Sequence, residues 1–255
     1  MNTRQLNELS NRFKQEYSTT FVDRWDELIN WERRHANEGG FFERILTEVG
    51  AKTVLDIACG TGFHTVTLSM AGFDVTGADG SANMVSKSKQ NAERIGLDNV
   101  RFVEAEWTNL TKAFPSEKFD AIVCLGNAFT HLFDEPDRIT ALKVIYSVLN
   151  DGGVAIIDQR NYDSILDKGF SSKHRYYYTG ENVEVTPEYV TDEGIKFLYK
   201  YEDGSVHHLT LCPIRQDYLT GLLEDTGFTS VNRYGDFESE YEFYEPDFIV
   251  QVAKK

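Results

Sequence analysis

Four side chains spaced along the 255-residue chain are suited to hold a nucleoside and an amino acid: Asp79, Trp107, Asn127 and Arg160. Asp79 closes the apolar run Phe73–Ala78, and a carboxylate at such a place can accept both hydroxyls of an adenosine ribose. Glu106-Trp107 follows the next run; the indole can cover an adenine face, and its competing use is to fill the core. Cys124-Leu125-Gly126-Asn127-Ala128-Phe129-Thr130-His131-Leu132 follows a fourth. There Gly126 permits close backbone approach and Asn127 offers both donor and acceptor, while His131 is either a proton acceptor or a structural hydrogen-bond partner. Arg160, in Asp158-Gln159-Arg160-Asn161-Tyr162-Asp163, suits bidentate capture of a substrate carboxylate, against a salt bridge to Asp158 or Asp163.

The stretch that must position these groups is Val54–Gly62, Val-Leu-Asp-Ile-Ala-Cys-Gly-Thr-Gly. Thr53–Ala58 reads as a buried parallel strand, and Phe63–Ala71 as the helix after the glycine turn. Gly60 and Gly62 carry no Cβ, so a ligand can lie against the backbone at the helix start. A dinucleotide fingerprint needs a third glycine where Thr65 stands, which disfavours a nicotinamide oxidoreductase. Asp56, just before the turn, would repel a pyrophosphate but suits a cationic or amino-acid-bearing cofactor.

Strands expected at Thr53–Ala58, Phe73–Ala78, Val100–Glu104, Ala121–Leu125 and Val154–Asp158 alternate with helices at Phe63–Ala71, Ala82–Ile95 and Pro136–Leu149. The α/β rhythm predicts a doubly wound, Rossmann-like parallel sheet with ligands at the carboxyl ends of its strands. Residues 1–50 are expected as a helical cap, with helices at Leu6–Tyr17, Phe21–Arg34 and Phe41–Val49. Residues 171–213 carry short β-rich runs (Tyr176–Thr179, Val183–Val190, Ile195–Tyr201, Val206–Leu211) and predict a small antiparallel sheet inserted as a lid. Residues 51–170 and 214–255 form the core, the latter adding the helix Arg215–Thr226 and a closing antiparallel pair, Thr229–Tyr234 and Phe248–Ala253.

Hydrophobic residues are 41% and aromatics 13%, a globular composition without a run of membrane-spanning length. The formal net charge of −15 repels nucleic acid and anionic membrane, and no basic run offsets it. Cys59, Cys124 and Cys212 have no metal-ligand spacing and are expected as reduced thiols; no metal site is expected. The opening Met-Asn-Thr-Arg-Gln lacks an apolar signal core, so a cytoplasmic location is expected.

The segment Leu-Asp-Ile-Ala-Cys-Gly-Thr-Gly resembles motif I of the class I S-adenosylmethionine (SAM) methyltransferases. Together with Cys-Leu-Gly-Asn-Ala-Phe-Thr-His-Leu and Arg-Asn-Tyr-Asp-Ser-Ile-Leu, it is similar to the glycine/sarcosine N-methyltransferases that make betaine for osmoprotection in salty habitats. The resemblance covers about residues 17–253 and implies SAM as cofactor, S-adenosylhomocysteine as product, and glycine and sarcosine as substrates. It implies that Tyr17, Trp25 and Arg34 close over SAM, and that Ala58, Gly60, Asp79, Glu106, Trp107 and Leu125 line it. Asn127 and Arg160 would then meet the amino acid, and Tyr177 falls where the family has an active-site tyrosine. Where the animal glycine enzymes carry Tyr-Tyr-Pro, this chain has Leu211-Cys212-Pro213, and Tyr199 or Tyr201 is left to supply the phenol. Two further readings fit the same motifs: a sarcosine/dimethylglycine N-methyltransferase and a non-catalytic SAM-binding protein. Oligomeric state is open.

Overall fold

The computed structural model describes residues 12–171 and 182–255. Among the described residues, four short helices come first: α1 (Phe13–Glu16), α2 (Thr19–Asp23), α3 (Trp25–Ile29) and α4 (Trp31–Glu38). Phe21–Arg34 was expected as one helix, and its division has local causes. Ser18 is extended and caps α2, accepting from the Phe21 N–H, and Asn30 is left-handed (φ 46°) and caps α4 by accepting from the Arg33 N–H. α5 (Phe41–Glu48) follows two left-handed glycines, Gly39 and Gly40.

From β1 (Thr53–Asp56) the expected alternation holds: α6 (Phe63–Met70), β2 (Asp74–Asp79), α7 (Ala82–Ile95), β3 (Arg101–Glu104), α8 (Leu110–Ala113), β4 (Phe119–Cys124), α9 (Glu135–Val148) and β5 (Leu149–Arg160). β5 was expected to begin at Val154, but it starts at Leu149, so that Asp151-Gly152-Gly153 lies within it. The register with β4 jumps from Phe119↔Leu149 to Ala121↔Val154, and Gly152 takes φ +79° where the strand bulges. α10 (Tyr162–Lys168) then leads to β6 (Val183–Thr191), β7 (Gly194–Tyr201) and β8 (Val206–Leu211), and α11 (Gln216–Thr226), β9 (Ser230–Gly235) and β10 (Phe248–Lys254) close the chain. The strand expected at Tyr176–Thr179 lies outside the described residues, as does the start of the first expected helix.

The large sheet has the order β3-β2-β1-β4-β5-β10-β9, with β1 to β5 parallel and β10 antiparallel to both neighbours. It is doubly wound. Leu142, Ile145, Leu219 and Leu223 of α9 and α11 pack with Leu55, Ile122 and Ile157, while Phe41, Phe42, Leu46 and Leu68 pack with Val54, Val123, Ile156 and Val250. Thus α5 belongs to the core of the main sheet.

β6-β7-β8 form a separate antiparallel sheet, and its core is shared with the N-terminal helices. Phe21 and Leu28 pack with Ile195, Phe197, Tyr199, Tyr201 and Leu211, and the Phe21 ring stacks on His207 at 4.5 Å. Each such buried side chain stabilises by about 1.5–3 kcal/mol, whereas the exposed Arg24–Asp203 pair is screened by solvent and contributes little. Apolar packing therefore joins α2 and α3 to the small sheet as one cover.

Candidate active site

The strand order reverses between β1 and β4, the place where open α/β sheets hold ligands. A cavity of about 360 Å3 lies there, bounded by the ends of β1, β2, β4 and β5 and by residues from the N-terminal helices and the small sheet.

The two glycines of the turn have different tasks. Gly60 (φ +53°) lines the cavity, and a Cβ added there would stand 3.7 Å from the Trp25 indole nitrogen. Gly62 (φ +98°) faces α7, where a Cβ would meet Ser88 Cβ at 3.1 Å, so its bareness serves helix packing. Asp56, expected to orient the ligand, is buried behind the turn. It accepts from the Thr65 hydroxyl at 2.8 Å and the Ala58 N–H at 3.2 Å. Thr65, at the position of the missing third glycine, thus holds the acid that shapes the loop.

Asp79 ends β2 at the cavity wall, accepting from the Gly60 N–H at 3.0 Å and the Ser81 N–H at 2.9 Å. Burial, the larger influence, raises its pKa to about 6 despite those two donors. Trp107 is held by its Nε1–H, which donates to the Ile57 carbonyl at 2.6 Å, and the indole lines the cavity. Glu106 meets Lys14 of α1 at 2.8 Å, an exposed pair that joins the first helix to the end of β3.

Asn127 is left-handed (φ 65°) and tightly wired. Its N–H donates to Asp158 Oδ1 at 2.7 Å, its Oδ1 accepts from the Arg160 N–H at 3.0 Å, and its Nδ2 lies 2.9 Å from the Tyr162 hydroxyl. Arg160 is 6% exposed, and its guanidinium lies 5.1 Å from the Phe197 ring centre and 5.3 Å from that of Phe248. Asp163, one suggested partner for Arg160, receives Arg215 and the Gln216 N–H.

Tyr17 reaches His131 from the cover, with 3.0 Å between its hydroxyl and Nε2. Burial lowers the His131 pKa to about 4 and raises that of Tyr17 well above its ordinary value. Trp25 packs edge-on to Tyr17 at 5.3 Å. Of the two tyrosines offered by β7, Tyr199 lines the cavity, and its hydroxyl is pushed up to about 12 by burial, against the lowering influence of Arg160. Tyr201 lies under Arg24, at 3.9 Å.

Ala58, Leu125 and Arg34 complete the lining expected from sequence, while Tyr177 lies outside the described residues. Two groups beside Arg34 went unrecognised. Glu38 Oε1 accepts from Arg34 Nε at 2.9 Å and lies 2.9 Å from His64 Nε2. Burial alone would raise the Glu38 pKa, but His64 and Arg34 hold it below its ordinary value. The Arg34/Glu38 spacing of four on a helix was a readable signal; the approach of His64 was not. Tyr162, fully buried against Asn127, was missed for the same reason.

The sheet order, with a glycine turn after β1 and an acid ending β2 at the cavity wall, is that of a class I SAM-dependent methyltransferase, and residues 54–153 match the family described as Methyltransferase domain. The fold is shared with a SAM-dependent methyltransferase from Clostridium acetobutylicum, at TM-score 0.73 and 20% identity over 92% of this chain and 97% of that one. The chain is 51% identical over 247 residues to the glycine/sarcosine N-methyltransferase of Aphanothece halophytica (96% of this chain, 92% of that protein). It is 47% identical over 246 residues to the enzyme of the same name from Halorhodospira halochloris (96% and 91%). This chain belongs to the glycine/sarcosine N-methyltransferase family.

Proposed function

We propose that this chain methylates the amino nitrogen of glycine and of sarcosine, using SAM, in the direction of dimethylglycine and betaine. One observation carries the reading beyond family membership: among the described residues, the arginines lining the cavity are Arg34, beside the glycine turn, and Arg160, at the end of β5. Two carboxylates need partners in such a reaction, that of the cofactor's amino acid and that of the substrate.

The cavity fits the cofactor by its donor set and size. Asp79 presents a carboxylate to the ribose, Trp107 an indole to the adenine, Arg34 a guanidinium to the amino-acid carboxylate, and Ala58 and Leu125 an apolar wall. Bound SAM supplies a methyl group made electrophilic by its sulfonium. Everything else is positioning. Arg160 takes the substrate carboxylate, and Asn127 holds Arg160 through its main chain. Tyr17 and Tyr199 keep their protons, so their oxygens can accept from the amine N–H groups and turn the nitrogen lone pair inward. His131, neutral above pH 4, remains the partner of Tyr17, and the substrate ammonium gives its proton to water before the cover closes, leaving the neutral amine to attack. The cover built from α2, α3 and the small sheet excludes water during transfer.

Mass spectrometry of glycine incubated with SAM and the protein, run to completion, tests this. Mono- and dimethylated glycine are expected; recovery of unmethylated glycine alone, with SAM shown to bind, would overturn it.

A further inference from the structure

Glu38 and His64 meet Arg34 from two different helices. Glu38 lies one turn after Arg34 on α4, the spacing that puts two side chains on one helical face. His64 is the second residue of α6, just past the glycine turn. One carboxylate oxygen of Glu38 serves both, at 2.9 Å from Arg34 Nε and 2.9 Å from His64 Nε2. All three are more than nine-tenths buried, at 3%, 6% and 7% exposure for Arg34, Glu38 and His64. Aromatic rings hold them from the sides: Phe63 lies 5.3 Å from the Arg34 guanidinium, and Phe42 stands edgewise to His64 at 5.4 Å.

Arg34 and His64 line the cavity, whereas Glu38 lies behind that wall. A guanidinium keeps its charge when removed from water, so it needs a charged or hydrogen-bonded partner to offset the lost solvation. The contact with Glu38 is made at Nε, the base of the guanidinium, and it fixes the plane of the group. His64 donates to the same oxygen, which keeps Glu38 from swinging away and divides its negative charge between two donors. A carboxylate shared in this way orients Arg34 without saturating its attraction for a second anion.

We infer that Glu38 and His64 are positioning residues that aim Arg34 at the α-carboxylate of SAM, and so set the enzyme's selectivity for the amino-acid half of its cofactor. The inference rests on the reading of Arg34 given above. Its mark is selectivity: a ligand that keeps the adenosine and sulfur but lacks the amino acid does not sense Glu38 or His64.

Calorimetric titration of the full chain and of Glu38→Gln, His64→Gln and Arg34→Ala, each with S-adenosylhomocysteine and with methylthioadenosine, tests this. Glu38→Gln and His64→Gln should weaken S-adenosylhomocysteine binding about tenfold or more, and methylthioadenosine binding less than about threefold. Equal loss on both ligands means a loosened glycine turn and overturns the inference. Should one variant not fold, the other decides by the same criterion. If Arg34→Ala alone changes the ratio of the two affinities, the positioning role falls and Arg34 keeps its carboxylate. If Arg34→Ala leaves that ratio unchanged, the role of Arg34 falls, and the inference with it.

Discussion

The Arg160 main-chain N–H donates to the side-chain oxygen of Asn127 at 3.0 Å, beyond Cys124↔Ile157, the last paired residues of the β4–β5 ladder. A side chain thus continues the sheet where the ladder stops, and it places Arg160. The left-handed φ of 65° explains why asparagine can sit there. Asn127→Gly keeps that backbone conformation and deletes the tie. An unmatched buried N–H costs about 1–3 kcal/mol, so kcat/KM for glycine should fall about tenfold or more. Affinity for S-adenosylhomocysteine should change less than about threefold. Wild-type kcat/KM in this variant would remove Asn127 from the account of how Arg160 is held.

Asp79 and His131 pull the pH dependence of stability in opposite directions. The Asp79 carboxyl titrates at about 6 in the folded protein, so between its ordinary value and 6 the folded state holds more protons, and stability falls as pH rises. His131 titrates at about 4, so between 4 and its ordinary value the unfolded state holds more protons, and stability rises with pH. In the wild type the two slopes largely offset each other from pH 4 to 6. Asp79→Asn should unmask the second, giving a melting temperature that drops more steeply on acidification; His131→Gln should do the reverse. Parallel melting curves across that range for wild type and both variants would disprove the assignment. The same titration bears on the ligand. If Asp79 accepts from the ribose hydroxyls as proposed, affinity for S-adenosylhomocysteine should weaken below about pH 6 in the wild type and stay flatter in Asp79→Asn.

The parallel sheet was legible because each strand is a short apolar run ended by a turn residue, and because the helices between them keep their period. Asp79 and Arg160, and Trp107 just past β3, were legible for a related reason: residues at or just beyond the end of a parallel strand sit at the ligand edge of the sheet. Three things were not. Alternation places Ile195, Phe197, Tyr199 and Tyr201 on one buried face, but which tyrosine meets the cavity depends on where the small sheet sits over β5. Glycine's bareness at position 62 reads the same whether a ligand or Ser88 fills the space. The join between Glu38 and His64 is a contact between helices separated in sequence by α5, β1 and the glycine turn.

Arg24 is one polar link between the N-terminal helices and the small sheet, beside Glu16, which accepts from the Thr210 N–H at 2.8 Å and the Thr210 hydroxyl at 2.7 Å. Arg24 donates to Glu27, Asp203 and Ser205, and its guanidinium lies 3.9 Å from the Tyr201 ring centre. Because the shared apolar core supplies most of the attachment, Arg24→Ala should leave the cover docked and lower the melting temperature by only a few degrees. The effect should appear in kinetics: faster release of S-adenosylhomocysteine in stopped flow, since Tyr17 and Trp25 ride on the same segment. An unchanged release rate would mean that the cover does not open at this seam.

Arg160 decides the substrate class. As a purely structural group, packed among Phe170, Phe197 and Phe248 and bridging to β4 through its main chain, it should give a variant that loses stability, cofactor affinity and turnover together. As the partner of the substrate carboxylate in a buried cavity, it gives a different pattern. Arg160→Ala then removes two charge-assisted bonds of about 1.5–3 kcal/mol each, so KM for glycine and sarcosine should rise about a hundredfold or more. Affinity for S-adenosylhomocysteine should stay within about threefold, because on the proposed reading Arg34, not Arg160, takes the cofactor's own carboxylate. Arg160→Lys should restore little, since a point ammonium does not reproduce the planar fork and packs poorly among three rings. Ethanolamine, an amine of similar size without a carboxylate, separates the two cases. It should be a poor substrate of the wild type and no worse in Arg160→Ala, and an equal loss on ethanolamine and glycine would leave Arg160 as structure alone.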